Sequence, residues 1–179
     1  MTTRYNYIHE AVRAAQPKAI AEIGTWNGMR AQAMLNLSPQ SKYYGFDLFE
    51  DATTETDRVE MNVKKHNLMS EVYERLTGFN VTLFKGNTRE TLKDFNEPID
   101  FVWLDGGHSV ETIRSDWDNI KRCLTPDAIV FFDDYFEGAG INTKLFGCNE
   151  IVKTLRHTVL SAKDWVVGGG TTSVVRVWP

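Results

Sequence analysis

The sequence predicts a doubly wound α/β fold: a mostly parallel sheet with helices on both faces, closed by an antiparallel C-terminal hairpin. Three observations carry this. Short apolar runs alternate with stretches of helical spacing, as parallel strands joined by crossover helices require. Each run ends on a glycine or a polar residue, so the turning points recur at one end of the strands. Near the C-terminus two β-branched runs flank consecutive glycines, which suits a hairpin between antiparallel neighbours.

Taken in order, Tyr7, Ile8, Ala11, Val12 and Ala15 recur at helical spacing and predict an amphipathic helix that stops before Pro17. Ala19 to Ile23 is a buried strand ending at Gly24, and Met29 to Leu37 is a helix closed by Ser38-Pro39. Lys42 to Phe46 is the second strand, ending at Asp47. Val81 to Phe84 is the third, before Lys85-Gly86-Asn87. Ile99 to Leu104 leads to Asp105, and Ala128 to Phe132 leads to Asp133-Asp134. Helices are expected over Val59 to Leu76, Thr88 to Phe95 and Val110 to Cys123, with His9 and His157 in helical segments and His66 in an insertion that the pattern does not place. The hairpin is read as Asp164 to Val167 and Ser173 to Val177, joined by Gly168, Gly169, Gly170, Thr171 and Thr172.

Composition narrows the function. With 179 residues, 42% hydrophobic and 25% charged, the chain is expected to form a single domain, residues 1–179, with a real core. Twenty basic against 24 acidic side chains leave a net charge of −4, and the densest basic pairs, Lys64-Lys65 and Lys121-Arg122, form no stripe that would follow phosphates. A nucleic-acid partner is therefore not expected. Cys123 and Cys148 match no metal or redox spacing and read as structural thiols of a reducing compartment. No apolar run has the length of a signal sequence or the roughly 20 residues of a membrane span. A cytoplasmic protein without a membrane partner is expected.

In open α/β sheets, ligands bind beyond the carboxyl ends of the strands, where the strand order reverses. Asp47, Asp105, Asp133 and Asp134 would all line that edge. The first turn, Glu22-Ile23-Gly24-Thr25-Trp26-Asn27-Gly28, spaces its glycines as G-x-x-x-G, not as the pyrophosphate-binding G-x-G-x-x-G. Glu22 places a carboxylate beside the turn, which repels phosphate and attracts a cationic amine. Asp47 follows the second strand, where an acid either hydrogen-bonds the ribose of an adenosine cofactor or caps a helix. The glycine turn and the acid occurring together favour the ribose.

These segments, AIAEIGTWNG and YYGFDLFE, resemble the first two signatures of class I S-adenosylmethionine-dependent methyltransferases, a Rossmann-like fold. IDFVWLDGGHSVETIRSDWDNIKRCLTPDAIVFFDDY resembles their fourth and fifth strand regions, and the terminal hairpin agrees with their reversed last strand. The resemblance implies that Gly24 and Gly28 hold the methionine moiety of S-adenosylmethionine, with Asp47 on the ribose. Asn87 stands at the position that faces the adenine, or caps the following helix. Glu22 and Asp105 complete the expected cofactor-binding set.

The pattern D-x-x-H after the fourth strand and D-D after the fifth is similar to metal-dependent O-methyltransferases of the macrolide-sugar and catechol type. It implies that Asp105, Asp133 and Asp134 hold a magnesium ion and that His108 is the general base beside catalytic Asp105. Magnesium favours such oxygen ligands. The acceptor would be a hydroxyl of a sugar or another small polar molecule. A second copy of the chain could complete the pocket, since no separate substrate domain is present. Glu50 to Asn80 and Asp134 to Asn149 are the segments expected to govern the substrate, the latter as a lid. Three other readings stand beside this one. They are a metal-independent N- or macromolecule methyltransferase of the same fold, a non-catalytic cofactor-binding module, and a nicotinamide dehydrogenase, which the glycine spacing and the hairpin disfavour.

Overall fold

Strands and helices alternate along the chain in the computed structural model, which describes residues 3–62, 64–138, 140–167 and 170–179. The strands are β1 Ala19–Ile23, β2 Lys42–Asp47, β3 Asn80–Lys85, β4 Ile99–Leu104, β5 Leu124–Glu137, β6 His157–Val167 and β7 Gly170–Val177. The helices are α1 Arg4–Ala15, α2 Met29–Leu37, α3 Thr54–Glu60, α4 Met69–Arg75, α5 Thr88–Thr91, α6 Val110–Ile120 and α7 Gly147–Val152. The strands form one sheet in the order β3-β2-β1-β4-β5-β7-β6. The pairs from β3 across to β5 are parallel, whereas β7 runs antiparallel to both β5 and β6. The order reverses between β1 and β4, which makes their carboxyl ends the switch point where a crevice opens.

Period-two alternation feeds two cores. On one face Ala21, Ile23, Val102, Leu104, Val130 and Phe132 pack under α6 and α7 with Ile113, Trp117, Ile120, Ile151 and Val152. On the other, Ile20, Phe101, Trp103 and Phe131 pack under α1, α2 and α4 with Ile8, Val12, Ala31, Met34, Leu35 and Val72. Strands buried on both faces read as continuous apolar runs, which is why their positions are visible in the sequence. Among the described residues no helix is long and apolar enough to cross a membrane.

Four expectations need correction. The helix expected over Val59 to Leu76 is two helices. α3 begins earlier, with a capping box between Thr53 and Thr56, and ends at Met61 in a left-handed conformation. α4 begins afresh, with the Glu71 carboxylate accepting from the Leu68 amide at 3.1 Å. The helix after β3 is a single turn, Thr88–Thr91. His157 is not helical: it opens β6 opposite Val177, so that strand starts well before Asp164. β5 does not stop at Phe132. It continues after a register shift to pair Tyr135, Phe136 and Glu137 with Ser173, Thr172 and Thr171 of β7. Of the expected hairpin turn, Gly168 and Gly169 lie outside the described residues.

Gly24 fixes the approach of β1 to β4. Its φ is +93°, and an added Cβ would lie 2.0 Å from the Asp105 carbonyl oxygen. Gly24→Ala combines a left-handed residue with a backbone clash, and should destabilise the fold by about 2–5 kcal/mol in urea unfolding. An unchanged midpoint would show that the two strands can separate there without cost.

Candidate active site

A cavity of about 230 Å³ opens at the carboxyl ends of β1, β2, β3 and β4. Gly24, Trp26, Asp47, Asn87, Asp105 and His108 line it, and residues of the β2–β3 insertion, among them Glu55, Asp57 and Glu60, form its roof. Beside it lies a space of about 10 Å³, room for roughly one water, between Asp105, His108, Asp133, Asp134 and α7. Asp105, Gly106, Gly107 and His108 are shared by both walls.

The glycine turn is held by Asp47. Its Oδ2 accepts from the Trp26 amide at 2.7 Å and its Oδ1 from the Phe49 amide at 2.8 Å, while Trp26 itself is left-handed, with φ +51°. Each carboxylate oxygen keeps a further lone pair for a ligand. Asn87 both lines the cavity and caps α5, its Oδ1 accepting from the Arg89 amide at 3.0 Å. Gly28 stands apart from the wall. It is the N-cap of α2 with φ +74°, and a Cβ there would meet Val72 of α4 at 2.9 Å. Glu22 is also beneath the wall, wholly buried. It accepts from the Tyr43 hydroxyl and lies 3.6 Å from Arg30. Burial pushes its carboxyl up to about 7, against the pull of Arg30 and Tyr43.

The three acids expected to hold a metal do converge, with ligand oxygens within 4.8 Å of one another. Each already faces a cation from the chain. Arg30, near the start of α2, donates to Asp105 Oδ2 and lies 4.3 Å from the Tyr5 ring centroid. Arg4 Nη1 lies 2.8 Å from both Asp133 Oδ1 and Asp134 Oδ1. Asp134 Oδ2 lies 2.7 Å from His108 Nε2. Burial favours the neutral form of Asp133, as do Asp105 and Asp134, raising its carboxyl well above the usual range despite the arginines. Burial opposes charge on Asp134 too, but its hydrogen bond and attraction to His108, then Arg4, hold it below that range.

Successive strand residues ordinarily face opposite sides of a sheet. The register shift between Phe132 and Tyr135, with Asp134 left-handed at φ +58°, lets the adjacent carboxylates reach one guanidinium. Asp tolerates that conformation better than most residues. Asp133 Oδ2 is buried and has no hydrogen-bond partner.

His108 is fixed from both sides. Nδ1 lies 2.7 Å from the Glu60 carbonyl oxygen, an acceptor only, so Nδ1 carries a proton. The Glu60 carboxylate in turn accepts from the Ser109 amide at 2.9 Å and from the Thr112 hydroxyl at 2.6 Å, at the start of α6. The roof and the base of the cavity are thereby tied together. Of the segment expected to be a lid, Asp134 to Asn149, one end belongs to β5 and the other to the buried helix α7, and its Phe146, Gly147 and Cys148 line the smaller space. It is the earlier insertion that roofs the cavity.

The fold and this crevice define the class I S-adenosylmethionine-dependent methyltransferase architecture. The sequence matches the methyltransferase domain family over residues 21–135, and the chain belongs to that family. No protein of curated function matches the chain by sequence. Among solved structures, it is similar to the O-methyltransferase TomG of Streptomyces achromogenes, involved in tomaymycin synthesis and solved with S-adenosylmethionine. The identity is 16%, covering 97% of this chain and 78% of TomG, with a TM-score of 0.66. Methyltransferase PaMTH1 of Podospora anserina, bound to S-adenosylhomocysteine, is 16% identical over 99% of this chain and 79% of its own, with a TM-score of 0.63. An rRNA methylase of Streptococcus thermophilus is 16% identical over 99% and 97% of the two chains, with a TM-score of 0.68.

Sequence reasoning missed Arg4, Arg30 and Glu60. Both arginines lie in the first turn of a helix, where the helix dipole disfavours a cation. That misplacement was the signal available. Glu60 offered none, because its partners are distant in sequence.

Burial works against charge on His108, but Asp134, then Asp105 and the Glu60 carbonyl, outweigh it and raise the imidazole to about 9. The folded value exceeds the ordinary 6.5. Its contribution to stability is therefore fully present below about pH 6.5 and lost as pH rises through about 9. Histidine NMR on metal-free protein should show both His108 ring protons at pH 7.5, with Asp134→Asn moving the titration down. Wild-type titration near pH 6.5 would contradict the pairing.

Proposed function

We propose that the chain transfers the methyl group of S-adenosylmethionine to a hydroxyl oxygen of a sugar or another small polar molecule, with a magnesium ion held by Asp105, Asp133 and Asp134. One observation carries the reading: Asp105 and His108 stand on the wall shared by the large cavity and the space beside the acid cluster. A methyl donor on one side and an acceptor oxygen on the other would meet there.

In this reading Gly24, Asp47, Asn87 and Asp105 bind the cofactor. Asp47 would accept from the ribose hydroxyls while keeping its hold on the turn, and the Asn87 amide would face the adenine. Glu22 and Gly28 serve from behind the wall, the first by fixing Arg30 and the second by starting α2. The roof over the cavity would exclude water and hold the reacting groups in line, which supplies much of the acceleration of such a transfer.

The donor set fits magnesium. Three carboxylates converge, and the buried, unpartnered Asp133 Oδ2 is a hard oxygen of the kind that ion takes. A magnesium ion would supply positive charge that favours loss of the acceptor's hydroxyl proton. His108 would receive that proton at Nε2 from its neutral form, which requires Nε2 first to give up the proton it now shares with Asp134. Cys123 and Cys148, buried free thiols, accord with a cytoplasmic setting. TomG, an O-methyltransferase, supports an oxygen acceptor by analogy of fold.

A metal-independent reaction is the second reading. It is favoured by the cations that Arg4, Arg30 and His108 already bring to the three acids.

S-adenosylhomocysteine should bind in calorimetry, and Asp47→Ala should weaken it by about 1.5–3 kcal/mol for each charged hydrogen bond lost. Unchanged affinity in a folded variant removes the ribose assignment. Activity on a hydroxyl acceptor should vanish with EDTA and return with magnesium. Full activity in EDTA would transfer the case to the metal-independent reading.

A further inference from the structure

The N-terminal helix places a cation where a metal bridging Asp133 and Asp134 would sit. Arg4 Nη1 lies 2.8 Å from an oxygen of each carboxylate and 3.4 Å from the Thr172 hydroxyl. Magnesium draws its oxygen ligands in to about 2.0–2.1 Å. One nitrogen already bonded to both Oδ1 atoms leaves no seat between them. We propose that Arg4 and a divalent cation compete for Asp133 and Asp134, so that Arg4 sets how tightly the chain holds the ion. The inference rests on the magnesium reading given above.

Arg4 is better placed than Arg30 to be displaced. The two side chains are about equally exposed, 16% and 15%, and both meet the Tyr5 ring. Arg4, however, stands in the first turn of α1, where it donates to the Tyr5 hydroxyl at 3.1 Å. Docking of α1 does not depend on it, because Ile8 and Val12 are wholly buried in the core beneath α2 and α4. The first turn alone needs to yield. Arg30, by contrast, lies against the rings of Tyr5 and Trp103 at 4.3 and 5.3 Å, and engages Asp105. It stays in place when Arg4 leaves.

The incoming ion also gains what Arg4 leaves unmet. Arg4 reaches Oδ1 of Asp133, while the buried Oδ2 has no partner. A multidentate hard cation can recruit that oxygen, and it brings two charges to a cluster that Arg4 serves with one. The cost of removing Arg4 without a replacement is two acids left facing each other in a buried site. Arg4→Met should therefore be less stable than wild type when metal-free, and should recover most of the difference when an ion binds.

Manganese serves as the probe, titrated into the full chain and followed by electron paramagnetic resonance. Arg4→Met should bind it at least tenfold more tightly than wild type. Arg4→Lys, a point charge without the planar fork, should fall between. Manganese should raise the melting temperature of Arg4→Met more than that of wild type. In wild type, saturating magnesium should release the Arg4 guanidinium, seen in side-chain nitrogen NMR as loss of its exchange-protected signal. Binding by Arg4→Met with none by wild type at saturating ion overturns the magnesium reading for the natural chain, and with it the proposal that Arg4 tunes a bound ion. Equal affinity in the two proteins overturns the competition and leaves the magnesium reading standing. Binding by neither overturns both, while S-adenosylhomocysteine calorimetry on the same samples reports on the cofactor reading separately. If Arg4→Met does not fold, Arg4→Lys decides, and equality with wild type overturns the proposal.

Discussion

Four carboxylates, those of Glu22, Asp105, Asp133 and Asp134, come together where β1 and β4 end and β5 shifts register, and they are buried or nearly so. Carboxylates removed from water cost several kcal/mol apiece unless they are paired or neutralised. Arg30, Arg4 and His108 meet that demand from the first turn of α2, the first turn of α1 and the loop after β4. The helices on this face are therefore placed by charge as well as by apolar burial. A cation in a helix's first turn is disfavoured by about 0.3–1 kcal/mol, which the facing carboxylates offset.

The same constraint shapes the sheet. A regular strand would send Asp133 and Asp134 to opposite faces, one into an apolar core with no counter-ion. The irregularity after Phe132 prevents this, and β5 then resumes its pairing with β7. Strain in a left-handed Asp134 is offset by the partners that it reaches, Arg4 and His108. Residues held in such conformations cluster at functional sites because the surroundings over-determine them.

Across the cavity, Glu60 performs two tasks with different groups. Its carboxylate satisfies the start of α6, and its carbonyl fixes the protonated nitrogen of His108. Gly107 leaves the space for this, since a Cβ there would lie 2.4 Å from the Glu60 carboxylate. The roof over the cavity and the orientation of the imidazole are thus one mechanical unit. Movement of the insertion would reach the histidine directly.

The sequence by itself determined the layered architecture, the reversed last strand and the sheet edge where the acidic residues gather. Apolar periodicity and turn residues act locally, so a single chain displays them. Asp47, Asn87, Asp105 and His108 could be placed on that edge because each ends a strand or lies in the turn that leaves one. The tertiary structure alone decided which charges neutralise which. Arg4 meets Asp133 and Asp134, and Glu60 meets His108, across gaps that no spacing rule spans. It also decided that β5 continues beyond its two aspartates, because β7 offers hydrogen-bonding partners there that local sequence cannot reveal. Gly28 and Glu22 show the same division. Their place in the first strand-to-helix turn is legible in the sequence, but packing against Val72 and burial beside Arg30 set them behind the cavity wall.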